Sequence, residues 1–201
     1  MLYSVIGNYS LLLGLFFGLV LFYLSVINFR NSQVLDTKIL SFTFLQFFLV
    51  VISFFCLVLS FIMSDFSNET VFNNSHTTKP IFYKIAGTWG NHEGSLLLWL
   101  LVLTFFILIF LIRTKNQLVK YRVLTLVFQQ IIIIGFFIFL IKTSNPFNHI
   151  YPIPTEGLGL NPILQDPALA IHPPILYLGY VGSSIIFSSV LAATTLKIIS
   201  K

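Results

Sequence analysis

The chain has 201 residues, of which 57% are hydrophobic and only 8% are charged. A soluble domain of this length carries about a quarter charged residues, so the composition excludes an ordinary soluble protein. The net charge of +5 comes from basic residues in short loops rather than from a patch on a folded face, so no nucleic-acid partner is indicated.

Five apolar runs are each long enough to cross a hydrocarbon core of about 30 Å. They predict an all-α integral membrane protein, a bundle of about five transmembrane helices in one membrane domain over residues 1–201. The first run has no basic residue before it and no small-residue cleavage site after it, so we expect a permanent helix. The predicted helices are 4–29, 39–64, 94–112, 123–141 and 173–196, with long loops at 65–93 and 142–172.

The basic residues predict the orientation of the bundle. Eight of the eleven lie in the short segments 30–38, 113–122 and 197–201, and three lie in the two long loops. The positive-inside rule therefore places the short loops on the cytoplasmic or matrix side. The N-terminus and both long loops are expected on the outer side, in the intermembrane space or the periplasm.

A few polar side chains interrupt the apolar runs. Gln46, Gln129 and Gln130 are expected to be interhelical hydrogen-bond partners rather than ligands. The single cysteine, Cys56, is expected to be a small buried side chain, and one cysteine excludes an internal disulfide framework. His76 lies in the polar first loop and is expected to be solvated.

The first long loop ends as TWGNHEGSLLLW, where a helix is predicted to begin. Four side chains lie at the start of this helix: Trp89, and then Asn91, His92 and Glu93, which Gly90 and Gly94 flank. The glycines allow close approach by a backbone or a flat ligand, and Trp89 suits the membrane interface. Two interpretations stay open: Glu93 is a first-turn acid favoured by the helix dipole, or the start of the helix receives a haem propionate or a partner's loop.

The stretch from the second long loop through Pro174 contains seven of the eight prolines and includes QDPALAIHPPILYLGYVG at its end. Asp166 followed by Pro167 is typical of a helix start. Two further prolines, Pro173 and Pro174, predict a break beside His172, which would project into the outer part of the bundle near Tyr177. His172 then either bonds a freed carbonyl or ligates a metal such as haem iron, whose second axial ligand must come from elsewhere.

Several stretches resemble the N-terminal part of the CcmF family, in the right order along the chain: IGNYSLLLGL, YKIAGTWGNHEGSLLLW, SNPF and GLNPILQDPALAIHPPILYLGYVG. CcmF is the large membrane subunit of the haem lyase in cytochrome c maturation system I. The resemblance implies a protein that receives haem from a haem chaperone and holds it for attachment to apocytochrome c. It also implies a separate b-type haem with two histidine ligands, one of them the histidine of the HPP motif, here His172.

The chain also departs from that family pattern. The tryptophan-rich outer loop that follows the HPP helix is missing, as are the histidines that complete both haem sites. The chain therefore resembles the N-terminal fragment of a split CcmF, encoded and inserted in mitochondria, with a bacterial inner membrane as the alternative. Such a fragment is not expected to be active alone.

The resemblance implies several partners and leaves one different function open. The partners are a further CcmF-like fragment carrying the tryptophan-rich loop and the second ligand of haem b, a haem chaperone, a thiol-reducing subunit, apocytochrome c and the lipid bilayer. The transferred haem would be handled by partner fragments. The alternative is a non-catalytic scaffold or assembly subunit of a respiratory complex that holds no haem.

Overall fold

The computed structural model describes residues 1–31, 35 and 37–198. Its helices are α1 Leu2–Asn31, α2 Thr37–Ile62, α3 Glu69–Asn74, α4 Ile81–Gly87, α5 His92–Arg113, α6 Val119–Thr143, a 3-10 helix Pro162–Gln165, α7 Pro167–Tyr180 and α8 Ser183–Thr195. Five stretches are long and apolar enough to span a membrane: α1, α2, α5, α6, and α7 with α8. The predicted all-α membrane architecture of about five spans is confirmed. Residues 32–34 and 36 of the short 30–38 loop, and residues 199–201 with Lys201, lie outside the described residues.

The helices pack around a core in which α1 contacts α2 and α6, α5 lies against α2 and α6, and α8 packs on α6. Fully buried side chains such as Leu11, Val50 and Phe137 fill this core. Gly14 allows the Phe137 ring to approach α1, since an added Cβ would lie 3.0 Å from the ring. Cys56 is buried as predicted.

Two polar clusters cross the apolar core. Gln46 and Gln130 are fully buried, and each amide donates to the other, over 2.8 and 3.3 Å. The next residue, Gln129, donates to Ser184 and accepts from Ser188. Consecutive glutamines thus join α6 to α2 on one side and to α8 on the other, as expected for interhelical hydrogen bonds in an apolar environment.

The N-terminus and both long connections meet at one end of the bundle. The Met1 amino group forms an ion pair with Asp65. Asn68 is fully buried, and its amide donates to Ser4 at 3.1 Å and to the Pro146 carbonyl at 2.9 Å. The side of the membrane that this end faces stays a prediction from the basic residues.

The two long connections also pair along their backbones. Glu69 donates its backbone N–H to Asn148, Ile150 donates to Ser67, and Leu158 donates to Phe72 farther along. Because these bonds satisfy backbone groups on both connections, the connections form one surface rather than two separate loops. They also hold short helices, α3, α4 and the 3-10 helix, within the predicted loops 65–93 and 142–172.

The last span differs from its prediction. It begins at Pro167 rather than at residue 173, and α7 continues through Pro173 and Pro174 without interruption. The predicted break beside His172 is therefore wrong. The interruption lies at residues 181–182 instead, where an added Cβ on Gly182 would lie 2.8 Å from the Phe106 ring of α5.

Candidate functional site

The start of α7 follows directly from its sequence. Asp166 is the N-cap, and its Oδ1 accepts the backbone N–H groups of Ala168 and Leu169 at 2.9 and 3.0 Å. Pro167 occupies the first turn, where its missing N–H is not needed. The predicted helix start at Asp166 and Pro167 is confirmed.

Trp89 replaces one of the two backbone donors that the prolines of α7 lack. In an α-helix the carbonyl of residue 170 accepts from the N–H of residue 174, which Pro174 lacks. Ala170 is only 1% exposed, so water does not replace that donor. The Trp89 indole N–H donates to the Ala170 carbonyl at 2.8 Å and satisfies it.

His172 lies on the exposed face of α7, among apolar side chains. Ile175 and Leu176 beside it are 64% and 50% exposed, and an added Cβ on Gly179 would meet nothing within 4 Å. No described residue hydrogen-bonds to the His172 imidazole. The predicted projection into the bundle is wrong, because this face turns away from the helices that the structure describes.

The surroundings of His172 fit one axial position of a haem. Its imidazole is free for a metal, its neighbours are apolar, and there is open space at Gly179. Within the described part of the chain, no group of three or more His, Cys, Asp or Glu side chains could hold a metal ion. His172 therefore fits as a single axial ligand.

Tyr177 lies on a different side of α7. Its ring packs edge-on against Trp99 of α5, with ring centroids 5.5 Å apart. Trp99 also contacts Phe136 and Tyr180, so the cluster joins three helices. Five residues along a helix correspond to about 140° of rotation, which separates Tyr177 from the exposed face of His172.

The N-terminal end of α5 is covered by a backbone segment of the same chain. Asn91 is the N-cap: its Oδ1 accepts the Gly94 N–H at 2.7 Å, and its amide donates to the Gly87 carbonyl at 2.6 Å. An added Cβ at Gly94 would collide with the Thr88 carbonyl. The close approach predicted for this glycine is therefore made by a backbone segment of the same chain.

His92 and Glu93 lie at the end of the bundle where the two long connections meet, with His92 exposed and Glu93 half-buried. The His92 Nε2 lies 3.0 Å from the Ser144 hydroxyl and so joins the start of α5 to the end of α6. Glu93 lines a polar cavity of about 210 Å³ that also contains the carboxylate of Glu69. Two carboxylates at one cavity disfavour a third anionic group, which argues against a propionate at this position.

Glu156 holds the two connections together, a role that the sequence alone did not indicate. Its carboxylate accepts the Thr77 hydroxyl at 2.5 Å and the backbone N–H groups of Thr77 and Gly157 at 3.0 Å each. These bonds lower the pKa of the Glu156 carboxyl from 4.5 to about 2, and the two bonds from Thr77 have the largest effect. His76 lies 3.8 Å from the same carboxylate, so it is not simply solvated as predicted.

Comparison with known proteins places the two motifs in one family. A family model described as cytochrome c assembly protein matches residues 89–199, which is more than half of the chain. This range contains Trp89 and the residues at the start of α5, as well as His172 and the helix α8 that follows.

Curated relatives are bacterial proteins of cytochrome c biogenesis. The chain is 43% identical over 192 residues to the cytochrome c-type biogenesis protein CycK of Rhizobium meliloti, covering 94% of this chain and 28% of the relative. It is 45% identical over 156 residues to the cytochrome c-type biogenesis protein CcmF of Escherichia coli, covering 76% of this chain and 24% of the relative.

A solved structure shares the fold. The cytochrome c haem lyase CcmF matches with a TM-score of 0.80 and 25% identity, covering 97% of this chain and 31% of that chain. The chain thus spans less than a third of the length of these relatives. It is a multi-pass membrane protein that belongs to the cytochrome c assembly protein family and is of the CcmF type.

Proposed function

We propose that the chain is the N-terminal subunit of a haem lyase complex for c-type cytochrome biogenesis. The observation that carries the proposal is His172, an imidazole without a hydrogen-bond partner among the described residues, on an exposed apolar face of a predicted span. Ionisable side chains at membrane depth are costly and usually functional. The names of the relatives and the likeness to a CcmF structure support the same assignment.

His172 is proposed to supply one axial ligand of haem b through a neutral ring nitrogen, with the second ligand from another chain. Bound haem supplies the redox chemistry. The chain supplies position and environment: α7 holds the imidazole, and the exposed side chains of Ile175 and Leu176 place apolar surface beside it. The exposed space at Gly179 leaves room for the edge of a flat ligand beside the helix.

The paired outer connections are proposed to form part of the surface that handles the transferred haem. Asn91, His92 and Glu93 would contribute to it by contacting a partner's loop, which fits the polar cavity better than a propionate does. Trp89 and Tyr177 would act from within the chain, through their contacts with α7 and α5. The chain alone is not expected to be an active lyase.

The proposed partners are a further CcmF-like fragment carrying the tryptophan-rich loop, a haem chaperone, a thiol-reducing subunit and apocytochrome c, all at the bilayer. We propose the mitochondrial inner membrane as the location, with the N-terminus on the outer side. The high phenylalanine content, 23 residues, supports an organellar genome. The curated relatives named above favour the alternative, a bacterial inner membrane.

The test is cytochrome c maturation in cells whose native complex carries His172→Ala, with His76→Ala as the matched control. Covalent haem in c-type cytochromes is measured by haem staining, and assembled respiratory complexes are measured beside it. We expect His172→Ala to abolish covalent haem while the control matures cytochromes normally. Normal covalent haem in His172→Ala, with respiratory complexes depleted, would instead support the non-catalytic assembly subunit.

A further inference from the structure

We infer that Trp89 is a positioning residue for His172, because its indole N–H replaces the backbone donor that Pro174 lacks. This inference rests on the proposed function, in which His172 ligates haem. The bond joins Trp89 of the TWGN motif to Ala170, 81 residues later and two residues before the HPP motif.

The backbone hydrogen bonds of α7 are interrupted at its two prolines. Pro173 and Pro174 remove the donors for the carbonyls of Leu169 and Ala170. A buried carbonyl without a donor destabilises the helix, because it has lost water and gained no partner. Ala170 is buried and receives the indole N–H of Trp89 at 2.8 Å, so the helix continues past both prolines with this carbonyl satisfied.

Trp89 is itself held in a fixed position. It lies in the turn between α4 and α5, two residues before the N-cap Asn91. The close approach of Gly94 to the Thr88 carbonyl fixes the shape of this turn. Gly90 packs against the segment before α7, where an added Cβ would lie 2.8 Å from Leu164. Trp89 thus anchors α7 to the outer end of α5.

The position of the His172 imidazole depends on the bond from Trp89. His172 lies two residues after Ala170 and immediately before the two prolines. Prolines within a helix are the usual position of a sharp kink. If the Trp89 bond is lost, α7 bends there, and the imidazole moves relative to the bundle and to any metal that a second chain holds.

The test combines two substitutions that act on the same carbonyl. Trp89→Phe keeps a ring at this position and removes the N–H. Pro174→Ala restores a backbone N–H four residues after Ala170. The matched control is Trp99→Phe, since the Trp99 indole N–H has no hydrogen-bond partner among the described residues. All variants are studied in the purified native complex.

Two measurements report the outcome. Amide hydrogen exchange over residues 171–180 reports the helix and needs no haem, and the spin state of the b-type haem reports ligand position. We expect Trp89→Phe to raise exchange about fivefold to tenfold, the ratio that corresponds to one lost hydrogen bond, and to convert part of the low-spin haem to high-spin. Adding Pro174→Ala to Trp89→Phe should reverse both changes. Any change that Trp99→Phe causes should persist when Pro174→Ala is added to it.

Unchanged exchange in Trp89→Phe, or no reversal by Pro174→Ala, would overturn the inference. A reversible rise in exchange with an unchanged spin state would also overturn the positioning role, since it would leave only a structural bond. Failure of the proposed function looks different. In that case His172→Ala leaves the b-type band intact, whatever the exchange in Trp89→Phe.

Discussion

Replacing one member of the buried glutamine pair gives a sharp prediction about stability. Gln130→Leu removes both hydrogen bonds between Gln130 and Gln46 and leaves the Gln46 amide in an apolar core. Gln46 cannot turn away toward α1, because its amide already lies against Gly18, where an added Cβ would collide with it. The amide of Gln46 therefore stays buried without its partner.

The expected loss in the free energy of unfolding follows from the two hydrogen bonds between Gln46 and Gln130. Interhelical hydrogen bonds in membrane proteins contribute on average about 0.6 kcal/mol each, with a maximum of about 1.7. Two bonds therefore correspond to about 1–3 kcal/mol, and the buried, unpaired Gln46 amide places Gln130→Leu in the upper half of that range. The double variant Gln46→Leu/Gln130→Leu leaves no unpaired amide, so it should be less destabilised than Gln130→Leu alone.

The assay is the free energy of unfolding, measured by sodium dodecyl sulfate titration of the chain in mild detergent and followed by circular dichroism. Gln117→Leu, at an exposed position between α5 and α6, is the control and should change stability by less than about 0.5 kcal/mol. A Gln130→Leu variant as stable as this control would refute the reasoning. So would a double variant whose destabilisation equals the sum of the two single variants.

Two further predictions concern the end of the bundle where the two long connections meet. Gly94→Ala should destabilise the chain by more than about 2 kcal/mol in the same titration, because its Cβ collides with the Thr88 carbonyl, whereas Gly135→Ala, which has open space, should be neutral or stabilising. Glu156 has a pKa of about 2 in the folded chain, below its ordinary 4.5, so its stabilising contribution is present at neutral pH and is lost as pH falls from 4.5 through 2. In a carbon-13 NMR titration, Thr77→Val should raise the Glu156 midpoint toward 4.5; an unchanged midpoint would contradict the assigned cause.

The spans and helix ends of this protein are readable from local sequence. Hydropathy predicts the five spans because a hydrocarbon core imposes its thickness on each of them. Asp166 and Pro167 predict the start of α7 because the N-cap bond involves only residues two and three positions away. Asn91 caps α5 in the same local way.

The course of α7 was not predictable from local rules. Pro173 and Pro174 indicate a break, and the side chain that offsets it, Trp89, lies 81 residues before Ala170. The direction of His172 depends on which face of α7 packs against α5, and hydropathy does not distinguish faces on a helix that is apolar all round. The partners of Gln46 and Gln130 likewise required the packing of the helices, although their role as interhelical bonds was expected.

The central claim is that His172 ligates haem iron, and the most direct measurement is a reduced-minus-oxidised absorption spectrum of the purified native complex. Wild type, His172→Ala and the control His76→Ala are compared at equal protein concentration. We predict that the b-type band is present in wild type and in the control and is absent in His172→Ala. A full b-type band in His172→Ala would contradict the account.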